Sequence, residues 1–139
     1  MKTRLPSLFD EYKKEKRLDK YSDPLKILNE AIDWQSFRLL IESAFPKTDP
    51  RKGGRPAYDR VMMFKILILQ KYYALSDDAI EYQIQARWSF ARFLGLKMND
   101  NVPDAKTIWL FRETLMKSGV LDKLFVALAE DLQSSGLIM

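Results

Sequence analysis

The stretch from Val61 to Leu75, VMMFKILILQKYYAL, restricts this fold more than any other part of the chain. Only Lys65, Gln70 and Lys71 interrupt its apolar character, and it falls short of the ~20 residues that a membrane span requires. Asp59 stands where its carboxylate can cap a helix running to about Tyr73. Such a helix is apolar on nearly all sides, so it must be covered from several directions, as the central helix of a small bundle is.

Helical periodicity dominates the flanking segments, and none shows clean period-two alternation bounded by turn residues. The expected fold class is therefore all-α: a small helical bundle with an N-terminal helical arm. Residues 8–20, rich in Lys and Glu, suit a solvated helix. Asp33 is placed to cap a helix from Trp34 to about Phe45, with Trp34, Phe37, Leu40, Ile41 and Phe45 at helical spacing. Three of the six prolines and two adjacent glycines then fall in PKTDPRKGGRPAYD, which reads as a loop or linker. The expected division is an arm with a basic linker over 1–52 and a helical domain over 53–139.

Past Tyr73, Ser76 with Asp77 and Asp78 begins a helix to about Ala86. Ser89 is expected to open a short helix in which Phe90, Phe93 and Leu94 share a face, stopped by Gly95. Asp104 suits the N-cap of a helix to Lys117 or Ser118, with the amides of Lys106 and Thr107 in reach. Gly119 ends it. A last helix, to about Ser134, carries a stripe of Leu121, Leu124, Phe125, Leu128 and Leu132 that must be buried against the bundle or another copy.

With 139 residues the chain suits one hydrophobic core, and its 47% hydrophobic and 30% charged fractions are those of a soluble globular protein. There is no cysteine or histidine, which excludes a disulfide framework, a Cys/His zinc site, a cysteine nucleophile and a Ser-His-Asp triad. Charge stands in place of a signal peptide's apolar core in MKTRLPSLFDEYKKEKRLDKY, so a cytoplasmic location is expected, with neither a membrane nor a small-molecule ligand as partner. Acids cluster at helix starts, where capping explains them, and KGGRPAYD lacks both the strand and the ending of a phosphate-binding loop. The chain by itself is expected not to be an enzyme, and to hold no cofactor.

Net charge is +4: residues 1–60 hold 14 Lys+Arg against 10 Asp+Glu, residues 61–139 nine against nine. This balance permits a polyanionic partner without demanding one. In VPDAKTIWLFRETL, Ile108, Phe111 and Leu115 fall on one side of the helix, leaving Lys106, Thr107, Trp109, Arg112 and Glu113 toward the flanks and outside. A helix-turn-helix presents such first-turn residues to base edges, where Lys and Arg pair with guanine or phosphate. A helix that merely fills a place in a bundle explains the same pattern. The connection from Gly95 to Pro103 exceeds an ordinary helix-turn-helix turn, so an extended variant is expected. Arg51, Lys52, Arg55, Arg87 and Arg92 are further candidates for phosphate contact.

GGRPAYDRVMMFKILILQKYYALSDDAIEYQIQARWSFARFLGL followed by VPDAKTIWLFRETLMKSGVLDKLF resembles the N-terminal domain of bacterial insertion-sequence transposases of the "IS five" family. The likeness runs from about Gly53 to Phe125 and lies in the order of its parts: Arg55, Pro56 and Tyr58, an apolar helix, Leu75 to Asp77, Phe93 to Leu96, then VPD and TI--FR. It implies a module that binds double-stranded DNA at the element's terminal inverted repeats and helps assemble the transposase, as a homodimer or with the full-length enzyme. Catalysis in such families belongs to a ribonuclease-H-like domain with an Asp-Asp-Glu triad and two divalent metals such as Mg. No residue here matches that triad, so the chain reads as a decayed fragment or the first of two overlapping frames. The alternative is a dimerisation or regulatory module that does not itself read DNA.

Overall fold

The computed structural model of the chain describes residue 13, residues 23–47 and residues 58–137. Among them are seven α-helices, one 3-10 turn and no strand. Apart from residue 13, the expected helix over 8–20 lies outside the described residues, as do the basic residues Arg51, Lys52 and Arg55.

The apolar run forms the central helix, α3 (Arg60–Tyr73), with Asp59 Oδ2 accepting from the Met62 amide at 3.0 Å. Phe64, Ile66 and Leu69 are completely buried, and burial of such side chains supplies roughly 1.5–3 kcal/mol each. Lys65 interrupts this buried surface. Its ammonium donates to Asn29 Oδ1 at 2.8 Å and to the Phe93 carbonyl at 3.0 Å, and it lies over the rings of Trp34 and Phe93. Burial pushes Lys65 down to about 8, against the opposing pull of Asp59.

Before α3 come α1 (Pro24–Ala31), a 3-10 turn (Trp34–Phe37) and α2 (Arg38–Glu42). α1 comes in addition to the expected helices, although its start is legible in Asp23-Pro24: Asp23 Oδ1 accepts from the Leu25 amide at 3.0 Å, and proline opens the first turn. The single helix expected from Trp34 to Phe45 is instead divided and ends at Glu42. Asp33 makes no side-chain cap; the Ser36 hydroxyl donates back to the Asp33 carbonyl at 2.6 Å, a local bond that competes with regular helix formation. Leu25, Ile32, Trp34, Phe37 and Ile41 join the same buried cluster as the later helices. The described part of the expected arm therefore packs into the core of the expected domain.

After α3 the chain turns at Ala74, which has a φ of 54°, into α4 (Asp77–Ala86), where Ser76 Oγ accepts from the Ala79 amide at 3.1 Å. α5 (Trp88–Leu94) follows after one residue. It starts one residue before the expected Ser89, with Arg87 at the cap position and no capping side chain, because Arg87 is extended and separates two helices that nearly abut. Phe90, Phe93 and Leu94 are buried as expected, and Gly95 ends the helix at a φ of 77°. α6 (Ala105–Lys117) and α7 (Val120–Ser134) complete the bundle. α6 packs on α3, α4 and α7, while α7 also reaches α2, and α1 lies on α5. The C-terminal stripe turns inward: Leu124 and Leu128 are buried, and Leu121, Phe125 and Leu132 pack partly against the core.

Candidate nucleic-acid interface

α6 is fastened to the bundle at both ends of its first half. Ile108, Phe111 and Leu115 are buried, as the helical spacing requires. At its N-terminus Asp104 Oδ1 accepts from the Thr107 amide at 2.8 Å, and Glu81 Oε1 reaches from α4 to the Ala105 amide at 2.7 Å. Two acids thus occupy amides that a phosphate would need, so this helix end is not an open anion site. The sequence identified Asp104; Glu81 it missed, since nothing local marks a surface glutamate as the partner of an amide 24 residues away.

One turn further on, Arg112 is engaged from within the protein. Its guanidinium grips Asp77 with two bonds of 2.8 Å, Nη1 to Oδ1 and Nη2 to Oδ2, and Nη1 also donates to Gln70 Oε1 at 3.1 Å. Gln70, 9% exposed, returns a bond from Nε2 to Asp77 Oδ1 at 2.7 Å. Three side chains from α3, α4 and α6 form one closed network. The Arg112 guanidinium, ahead of opposing burial, holds the Asp77 carboxyl below the usual carboxylate range, and Asp77 raises Arg112 above its ordinary value in return. Asp77 also sits in the first turn of α4, where the helix dipole favours a negative charge. Arg112 is therefore a brace for α6 rather than a side chain standing free. The sequence showed Asp77 only as a helix-start acid, and Gln70 only as an interruption of the apolar run.

The remaining side chains on the outer face of α6 are differently disposed. Lys106 is exposed and makes no ion pair among the described residues, Trp109 is 47% exposed beside Leu110 at 48%, and Thr107 is half-buried. An indole, an ammonium and an aliphatic side chain thus project from a rigidly seated helix. Arg92 does not stand with them: its Nη2 donates to Asp23 Oδ2 at 2.9 Å in a pair whose side chains are 16% and 7% exposed, fastening α5 to the start of α1. Arg87 is exposed, with its guanidinium over Phe90 at 5.4 Å, and lines a polar groove with Gln85, Lys97 and Asn101 that also takes in Val102, two residues before the α6 cap. The Tyr58 hydroxyl donates to the Val102 carbonyl at 3.4 Å, which ties Tyr58 to the segment just before α6.

Among the described residues no group of three or more carboxylates, cysteines or histidines is arranged to hold a metal ion. No described helix is long and apolar enough to cross a membrane. Residues 12–114 match the protein family described as "Transposase domain (DUF772)", a span that takes in α1 to most of α6. No solved structure matches the chain.

Proposed function

Because this chain belongs to the transposase domain family DUF772, we propose that it is the DNA-binding module of an insertion-sequence transposase, of the "IS five" kind, and that it engages the terminal inverted repeats. The reading assigns strand cutting and joining to a separate domain with an acidic triad and divalent metals, and gives this module no catalytic role. It rests chiefly on the outer face of α6. That helix is anchored by three buried residues and braced through Arg112, yet it leaves Lys106 and Trp109 uncovered. Rigid placement of a cation and an aromatic edge is what groove contact uses, because little ordering remains to be done on binding. Lys97 and Arg87, in the groove leading to α6, extend the cationic surface. Arg51, Lys52 and Arg55 precede Tyr58 in sequence and would add phosphate contacts.

The test is fluorescence anisotropy with a labelled duplex of the element's terminal repeat and a shuffled duplex of equal length. Repeat DNA is expected to bind more tightly, and to weaken steeply with salt as counterions are retained. Lys106→Ala should lower affinity for both duplexes and reduce the salt slope by about 1. Trp109→Ala should cost repeat binding roughly tenfold with an unchanged melting temperature. Equal binding of the two duplexes, or affinity indifferent to both substitutions, defeats the proposal. A second reading, a regulatory or dimerisation module that does not read DNA, draws on Asp104 and Glu81, whose charges sit at the α6 end where a phosphate would otherwise approach.

A further inference from the structure

We propose that the N-terminal segment of this chain closes the apolar groove between α1, α3 and α7, laying Leu8, Phe9 and Tyr12 into it. The groove has a volume of ≈ 550 Å³ and lies between Ile27 and Leu28 of α1, Tyr72 of α3, Leu132 of α7 and Leu137 past the end of α7. Ile27 is 50% exposed, Tyr72 72% and Leu137 42%. Single exposed apolar side chains are ordinary on a soluble protein, but three along one concave strip mark a place where another element packs. The described helices wall this strip without covering it.

The place of the groove in the chain selects the occupant. Pro24, the first residue of α1, stands in its wall, so the segment that ends at Ser22 is attached at the groove itself. A segment tethered there meets the groove at an effective concentration in the millimolar range, which a free partner would have to supply from solution. Its sequence suits the site. Ser7 with Asp10 three residues on is a helix-start signal, and in a helix from Leu8 the side chains of Leu8, Phe9 and Tyr12 fall within about 100° of arc. Asp10, Glu11, Lys13 and Lys14 fall outside that arc, and residue 13 is helical and exposed. Reach is sufficient: with a helix to residue 20, Tyr12 lies about 12 Å along the axis, and residues 21–23 add up to about 10 Å. Neighbouring packed helices are only about 8–10 Å apart. The match to the transposase domain family begins at residue 12, so Tyr12 belongs to the same domain as the helices that wall the groove.

The experiment is thiol alkylation by iodoacetamide in the full 139-residue chain, which has no cysteine of its own. Phe9→Cys and Tyr12→Cys should each be alkylated at least tenfold more slowly than Glu11→Cys, because reaction at positions 9 and 12 waits for the segment to leave the groove. Adding Ile27→Asp or Leu137→Asp, both at exposed groove positions, should abolish that protection while circular dichroism shows the helical content retained. Two groove variants keep the test decisive where one of them is unstable. Protection should also be the same at nanomolar and micromolar protein, since the contact is within one chain. Equal reactivity at positions 9, 11 and 12 overturns the proposal, and so does protection that survives both groove substitutions. Protection lost on dilution, or gained only when another polypeptide is supplied, assigns the groove to a second molecule and overturns it equally.

Discussion

Replacing Arg112 with alanine removes two charge-assisted hydrogen bonds to Asp77, both 2.8 Å, and a third, to Gln70, at 3.1 Å. Breaking a buried ion pair costs about 3–5 kcal/mol and an exposed one about 0–1 kcal/mol. With the two side chains 27% and 22% exposed, the loss belongs between those limits, at about 2 kcal/mol. For a chain of this size that corresponds to a fall of roughly 6–8 °C in melting temperature. Urea denaturation followed by tryptophan fluorescence measures it, and a cycle with Asp77→Ala isolates the pair. The double variant should be less destabilised than the two single ones added together, by about 1–2 kcal/mol, because either change alone strands a partner. The contribution also has a pH signature. Asp77 is depressed in the folded state, so its stabilisation is complete above the unfolded carboxylate value of about 4 and fades as pH falls below it toward the folded value. Additive single variants, or an Arg112→Ala protein that keeps its stability and loses only DNA affinity, would refute the brace and return Arg112 to the groove-reading side chains.

Other outcomes follow from positions fixed by the fold. Lys65 titrates near 8 when folded and near 10.5 when unfolded, so the unfolded chain binds more protons between these values and stability should rise with pH there, on the order of 1 kcal/mol from pH 8 to 9.5. Lys65→Met should remove that rise in pH-resolved urea melts; a rise of the same size in both proteins contradicts the assignment. The window stops short of 10 because Tyr73, raised by burial, titrates in the opposite sense. Ala74 holds a φ of 54° at the end of α3, so Ala74→Gly should stabilise by up to about 1 kcal/mol. Gly119→Ala should destabilise by about the same amount, since its φ is 76° and an added Cβ would meet open space; calorimetry with either sign reversed would contradict the backbone argument.

Much of the helical plan was legible because its causes are local. Asp59, Ser76 and Asp104 cap where the chain order says they should, each accepting from an amide three residues on. Periodicity likewise determined which side of α6 and α7 is buried, since a side chain's place around a helix depends only on its number. Local signals also erred where two of them competed: the Ser36 hydroxyl donates to the Asp33 carbonyl where Asp33 was expected to cap, at the start of a helix that is divided after Phe37, and Ser89 lost the start of α5 to the extended Arg87.

Tertiary structure alone decided which polar residues are spent. Arg112 and Arg92 look the same in sequence as Lys106, a cation on an amphipathic helix, yet the first is held by Asp77, 35 residues away, and the second by Asp23, 69 residues away. Glu81 and Gln70 acquired their roles in the same way, through partners that sequence spacing does not bring near. The number of a residue sets its face on a helix, whereas its partner depends on how helices cross. For this chain the sequence by itself determined an all-helical bundle around α3 and the resemblance to transposase domains. The packing of α3, α4 and α6 determined that Lys106 and Trp109 remain uncovered while Arg112 braces the helix that carries them.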